Sequence, residues 1–282
     1  MPVTDDVPLL NGLGRSWPGK CWRRGQDLQV PTQMLALAAQ MVLCAAPLLV
    51  ATSAVVRRAD GHGLGEPLAR YLGLHGAAAR DFMSLFAGSR RVSMTELVVG
   101  LLLGAAFATG IAATQQRGFE TLWSLPRAPI RQSWRWLVWL AGLGVYLAVV
   151  LGDGQLGHHT DWRLHLGALV RVVIQLGASL VFYCWSQHLL LNGRVAWRRL
   201  LPGAAVMSLG TTVLVLASGF VLPGQLTEQV NDYGPVGATF VLSVWLVILS
   251  AVILGGALVG VTVAERHIPA RSEEAALQPQ PL

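Results

Sequence analysis

The stretch NDYGPVGATFVLSVWLVILSAVILGGALVG, Asn231 to Gly260, passes from a polar turn into an apolar run that carries no charge. At a helical rise of about 1.5 Å per residue, Val236 to Val263 is long enough to cross a hydrocarbon core of about 30 Å. The rest of the chain decides whether this helix is a lone tether. Its 282 residues are 53% hydrophobic and 13% charged, and an ordinary soluble domain carries about a quarter charged residues. Most of the chain therefore belongs in lipid.

Five further stretches are long and nearly uncharged: Thr32–Val56, Thr95–Thr114, Trp134–Leu151, Leu164–Leu191 and Leu201–Leu222. The predicted fold is an all-α integral membrane protein, a bundle of six transmembrane helices over about 32–56, 95–114, 134–151, 164–191, 201–222 and 236–263. Residues 1–31 form an N-terminal segment of no clear period, 32–264 the membrane domain, and 265–282 a tail read as disordered from Pro269, Pro279 and Pro281. The first apolar run is too long for the core of a cleaved signal peptide and follows a polar leader.

The formal charge of +6 and pI near 9.9 are explained by where the arginines lie. Arg15, Lys20, Arg23 and Arg24 precede the first span, Arg117, Arg127 and Arg131 follow the second, and Arg194, Arg198 and Arg199 follow the fourth. The alternate connections, Gly152–Arg163 and Pro223–Pro235, are poor in cations, so the positive-inside rule predicts cytoplasmic termini. No aromatic and basic surface module accompanies the charge, and no nucleic-acid partner is expected.

The connection Arg57–Ser93 breaks this pattern with Arg57, Arg58, Arg70, Arg80, Arg90 and Arg91. Leu68, Tyr71, Leu72, His75, Ala79, Phe82, Met83 and Phe86 recur at i, i+3 and i+4, the spacing of an amphipathic helix lying along the outer interface against lipid head groups. Its simplest role is a cap over the bundle. Cys21, Cys44 and Cys184 are scattered and give neither a disulfide framework nor metal-ligand spacing.

Arg171 falls inside the fourth span, where a guanidinium facing lipid costs about 2.5–3.5 kcal/mol. Gln175, four residues on, shares its helix face. The pair marks a candidate polar surface for an anionic head group, with Arg57, Arg58, Arg70 and Arg80 gathering it from outside; a structural arginine paired with Glu96 is the plainer alternative. Gly100 with Gly104, and Gly256 with Gly260, are small-xxx-small pairs suited to close helix packing. Pro47 should kink the first span. His158, His159, Asp161 and His165 are metal-ligand types, but adjacent histidines rarely share an ion, and no metal site is expected. The chain contains no Gly-x-Ser-x-Gly, His-Glu-x-x-His or Walker loop, so neither a cofactor nor an enzymatic activity is predicted.

Four motifs carry a resemblance. They are AAPLLV (Ala45–Val50), RGFETLW (Arg117–Trp123), NGRVAWRRLLPGA (Asn192–Ala204) and YGPVGATFVLSVWLVILSAVILGGA (Tyr233–Ala257). In their order and spacing the chain, from about Thr32 to Ala264, resembles the YihY/BrkB family of bacterial inner-membrane proteins, once misassigned as ribonuclease BN. Leu258 stands where many relatives carry an acidic residue, and WSQHLLLNG (Trp185–Gly193) lacks the proline usual at the end of the fourth span. The resemblance implies an arginine near Arg171, location in the bacterial cytoplasmic membrane, and export or flipping of lipid or another anionic amphiphile. A noncatalytic scaffold or accessory subunit of a larger membrane complex is the competing expectation. The expected partners are membrane lipids, with other membrane subunits or a homo-oligomer beside them.

Overall fold

A computed structural model describes residues 17–44, 94–127, 134–155 and 164–266. All regular structure among the described residues is helical. The helices are α1 (Trp17–Asp27), α2 (Val30–Cys44), α3 (Met94–Leu122), α4 (Trp134–Gln155), α5 (Leu164–Leu190), α6 (Trp197–Tyr233) and α7 (Pro235–Arg266). Pro47, the segment Arg57–Ser93 with its arginines, and His158, His159 and Asp161 lie outside the described residues.

α6 and α7 are the backbone of the bundle, an antiparallel hairpin folded at Gly234. That glycine takes φ 61°, and its N–H donates to the Val230 carbonyl at 2.8 Å, closing α6. Left-handed backbone of this kind is open to glycine at no steric cost, and Pro235 then starts the next helix. The two helices touch backbone to backbone. A Cβ on Gly260 would lie 2.5 Å from the Gly203 Cα, and one on Gly256 would lie 2.7 Å from the Met207 Cγ. Three glycines thus set the interhelical distance, as small residues do where lipid supplies no hydrophobic drive for association.

α6 departs from expectation. Pro223–Pro235, read from sequence as an external connection, is helical up to Tyr233. Leu222, Leu226 and Val230 are buried, and their spacing of four puts them on one face of the continued helix. Gly237 leaves room there for the Gln229 carbonyl to approach α7. The Thr227 hydroxyl donates to the Pro223 carbonyl at 2.8 Å. The apolar stripe outweighs the single internal hydrogen bond that Pro223 removes. α3 likewise runs past Thr114 to Leu122, because Gln115, Phe119 and Leu122 are buried.

The leader contains a helix where no period was legible. α1 lies against the end of α7, with Gly25 beside Leu258, the Cys21 thiol 3.9 Å from the Thr262 hydroxyl, and Arg24 paired with Glu265 through two contacts, one of 2.8 Å. α2 packs on α3, where Gln40 donates to the Phe107 carbonyl at 3.2 Å and the Cys44 thiol lies 3.9 Å from the Gly104 carbonyl.

Two helices, α6 and α7, are long and apolar enough to cross a membrane by length and composition, with mean hydropathy 2.0 and 2.6; α2 is a shorter apolar helix among the described residues. Their outward faces are apolar as well. Leu209, Val213, Phe220, Val236 and Phe240 are all more than half exposed, an apolar surface of the kind that marks contact with lipid or another protein.

Candidate functional site

α2 through α7 line a half-open cavity of about 540 Å³, inside the range of about 300–1,000 Å³ typical of sites for small molecules. Each helix contributes: Met41 from α2, Ile111 and Gln115 from α3, Leu143 from α4, Gln175 from α5, Leu214 from α6 and Leu249 from α7, among others. Most of the wall is aliphatic or aromatic. Phe182 anchors the aromatic part, stacked on Tyr146 at 4.5 Å with an interplanar angle of 12° and edge-on to Tyr183 at 5.5 Å.

Polar side chains in the wall include Gln115, Ser218 and two hydroxyl clusters. The Tyr146 and Ser179 hydroxyls lie 2.9 Å apart, and the Gln175 amide donates to both at 3.3 Å. Deeper along α5, the Tyr183 hydroxyl pairs with the Thr211 hydroxyl at 2.8 Å. Such groups are paired because an unsatisfied hydroxyl or amide away from water costs several kcal/mol. Gln175 enters this cluster through its amide N–H. The Gln175 cluster can therefore offer a polar handle beside an apolar chamber.

A second polar layer joins the ends of α3, α4 and α5. The Arg194 guanidinium donates to the Glu120 carboxylate at 2.5 Å, to the Pro126 carbonyl at 2.6 Å and to the Leu191 carbonyl at 3.0 Å. Gln116 donates to the same carboxylate at 3.1 Å and accepts from the Trp136 indole at 2.7 Å. The Glu120 side chain is 4% exposed. The layer sits one turn from the cavity, since Gln115 and Trp139 line the cavity while Gln116 and Trp136 belong to the layer. Asn192 and Gly193, at φ 58° and 70°, turn the chain so that Arg194 reaches back over α3.

Of the residues marked from sequence, Gln175 lines the cavity. Arg171 lies one turn earlier on α5, and its side chain is outside the described residues, as are Arg57, Arg58, Arg70, Arg80 and the side chains of Glu96 and His165. Gly256 and Gly260 lie against α6, Gly104 is buried beside Cys44, and the surroundings of Gly100 are not among those described. Sequence reasoning passed over Tyr146, Phe182 and the Glu120–Arg194 pair. Glu120 and Arg194 sit in the second and third of the quoted motifs, RGFETLW and NGRVAWRRLLPGA, so the structure brings two distant motifs into one contact.

The family model for virulence factor BrkB matches residues 22–281. The chain belongs to the BrkB family. No curated protein and no solved structure is significantly similar to it. The BrkB match takes in all of α2 to α7, so the cavity and the Glu120–Arg194 layer both belong to the family domain. As a member of this family, with long apolar helices and exposed apolar faces, the protein is a membrane protein.

Proposed function

We propose that this BrkB-family protein is a six-span bundle of the bacterial cytoplasmic membrane, with both termini in the cytoplasm, that binds an anionic amphiphile and carries it between leaflets. The observation that carries this reading is the cavity, apolar over most of its wall and polar at Gln175 and Tyr146, which Ser179 holds from behind. A hydrocarbon body matches the first surface and a head group the second. Arg171, one turn from Gln175 on the same helix, supplies the cation for the head group, and Arg57, Arg58, Arg70 and Arg80 concentrate the ligand at the outer surface. The role is one of binding and translocation and not of bond-breaking chemistry. A scaffold has no use for such a chamber, and this favours transport over the accessory-subunit reading.

The test is transbilayer movement of a fluorescent phosphatidylglycerol analogue in vesicles reconstituted with the purified protein. Leu214→Trp fills the cavity and should abolish the protein-dependent rate, and Arg171→Ala should lower it. Equal rates in protein-containing and protein-free vesicles would sink the proposal.

A further inference from the structure

A second space, of about 460 Å³, lies between α4 and α5 on the outside of the bundle. Its flanks are Val145, Val149 and Val181, all exposed. Gly177 lies in its floor, and a Cβ added there would meet nothing within 4 Å. Tyr146 and Phe182 line this groove and the central cavity alike. One stacked pair of rings, 4.5 Å between centroids, is thus the wall that the groove shares with the half-open cavity.

We infer that the groove is a lateral port: one hydrocarbon tail of a bilayer amphiphile lies in it and passes the Tyr146–Phe182 stack to reach the central cavity. The inference rests on the amphiphile-binding reading above and adds the route and the part of the ligand that takes it. The occupant follows from the lining. Walls of valine, alanine and aromatic rings offer a head group little to replace the hydrogen bonds it would give up, while a tail moving from lipid into this groove changes one apolar environment for another. The gain is packing alone, because lipid is already as apolar as valine. Binding is therefore weak and exchangeable, as a port requires. Tyr146 is held at the wall through its hydroxyl, by Ser179 and Gln175, so a polar group arriving at Gln175 competes for the bond that keeps the wall closed. Head-group arrival and tail entry are coupled in this way.

The probe is a phospholipid with a diazirine at the end of one acyl chain, in phosphatidylcholine and phosphatidylglycerol vesicles holding the full-length protein. After irradiation, adducts are mapped to peptides. Adducts are expected on the groove at Val149 and Val181 and on the inner wall at Thr211 and Leu249. Gly177→Trp should cut the inner-wall adducts roughly tenfold, the ratio set by about 1.4 kcal/mol of added cost. Phe182→Ala should raise them, and Val213→Trp, an equal bulk on the exposed face of α6, should leave them unchanged. Continued protection of Cys184 from maleimide verifies the fold, and Gly177→Leu replaces Gly177→Trp, and Phe182→Leu replaces Phe182→Ala, where the first variant loses it. Inner-wall adducts that persist undiminished in the plugged variants would overturn the port and leave the amphiphile reading standing. Inner-wall adducts absent from every variant, Phe182→Ala included, would overturn both. Disulfide dimers of Val149→Cys, with no lipid adduct in the groove, would assign it to a second copy of the chain and also overturn the port.

Discussion

Arg194 grips Glu120 at 2.5 Å although 74 positions separate them in the chain. The contact ties the turn after α5 to the last turns of α3, and through Gln116 it extends to Trp136 on α4. Arg194→Ala takes one charged donor from a buried carboxylate that keeps the Gln116 amide, and a hydrogen bond to a charged group is worth about 1.5–3 kcal/mol. Thermal unfolding in detergent should show a clear drop for Arg194→Ala and for Glu120→Ala. The double variant should lose less than the sum of the two, and strict additivity would mean that the pair is not coupled.

Glycine substitutions separate contact from mere presence. Gly260→Ala drives a methyl into the Gly203 backbone and should destabilise by about 1–3 kcal/mol. Gly219→Ala, also on α6, meets nothing within 4 Å and should be neutral or stabilising by up to about 1 kcal/mol through helix propensity. The same unfolding assay compares them, and equal effects would contradict the close approach of α6 and α7.

Gln175→Leu removes the donor shared by Tyr146 and Ser179 while keeping the volume of the side chain. Loss of a hydrogen bond worth about 0.5–1.5 kcal/mol predicts up to about a tenfold fall in the transbilayer rate of an anionic lipid analogue. Tyr146→Phe leaves Gln175 bonded to Ser179, and its effect should be smaller. A Gln175→Leu protein that moves the analogue at the unmodified rate would remove Gln175 from the site.

The three thiols report on both packing and sidedness. Cys44 and Cys184 are buried, at 1% and 6% exposure, and Cys21 is half-buried beside Thr262. In intact spheroplasts a membrane-impermeant maleimide should label none of them. Permeabilised cells should show modification of Cys21 alone, and denaturation should expose all three. Labelling of Cys21 from outside would reverse the proposed orientation.

Hydropathy made the helices legible, because a lipid-embedded segment must be apolar along its length and the chain advertises this without any knowledge of partners. Among the described residues a helix overlaps each of the six expected stretches, and two of these helices, α6 and α7, are long and apolar enough to span, while 45–56 of the first stretch lie outside the described residues. Their ends were less legible. Charge and proline marked Arg117 and Pro223 as loop, whereas burial of Phe119, Leu122, Leu226 and Val230 extends both helices beyond them. Gln175 stood out because a polar residue in an apolar run is conspicuous. Tyr146, Phe182 and Trp139 did not, since aromatic residues are ordinary in such runs and their meeting depends on how α4 and α5 face each other. Arg194 counted in the sequence only as a loop cation and Glu120 only as part of RGFETLW, and three-dimensional proximity reveals them as a pair.

The backbone contact at Gly203, Gly256 and Gly260 has a mechanical corollary. Two rods touching at their main chains cannot slide or rotate without collision, so α6 and α7 behave as one rigid strut. Relative motion between helices, if the proposed translocation needs it, must then be sought outside this hairpin, and not at Gly142 of α4, where a Cβ would lie 2.2 Å from the Trp185 ring of α5.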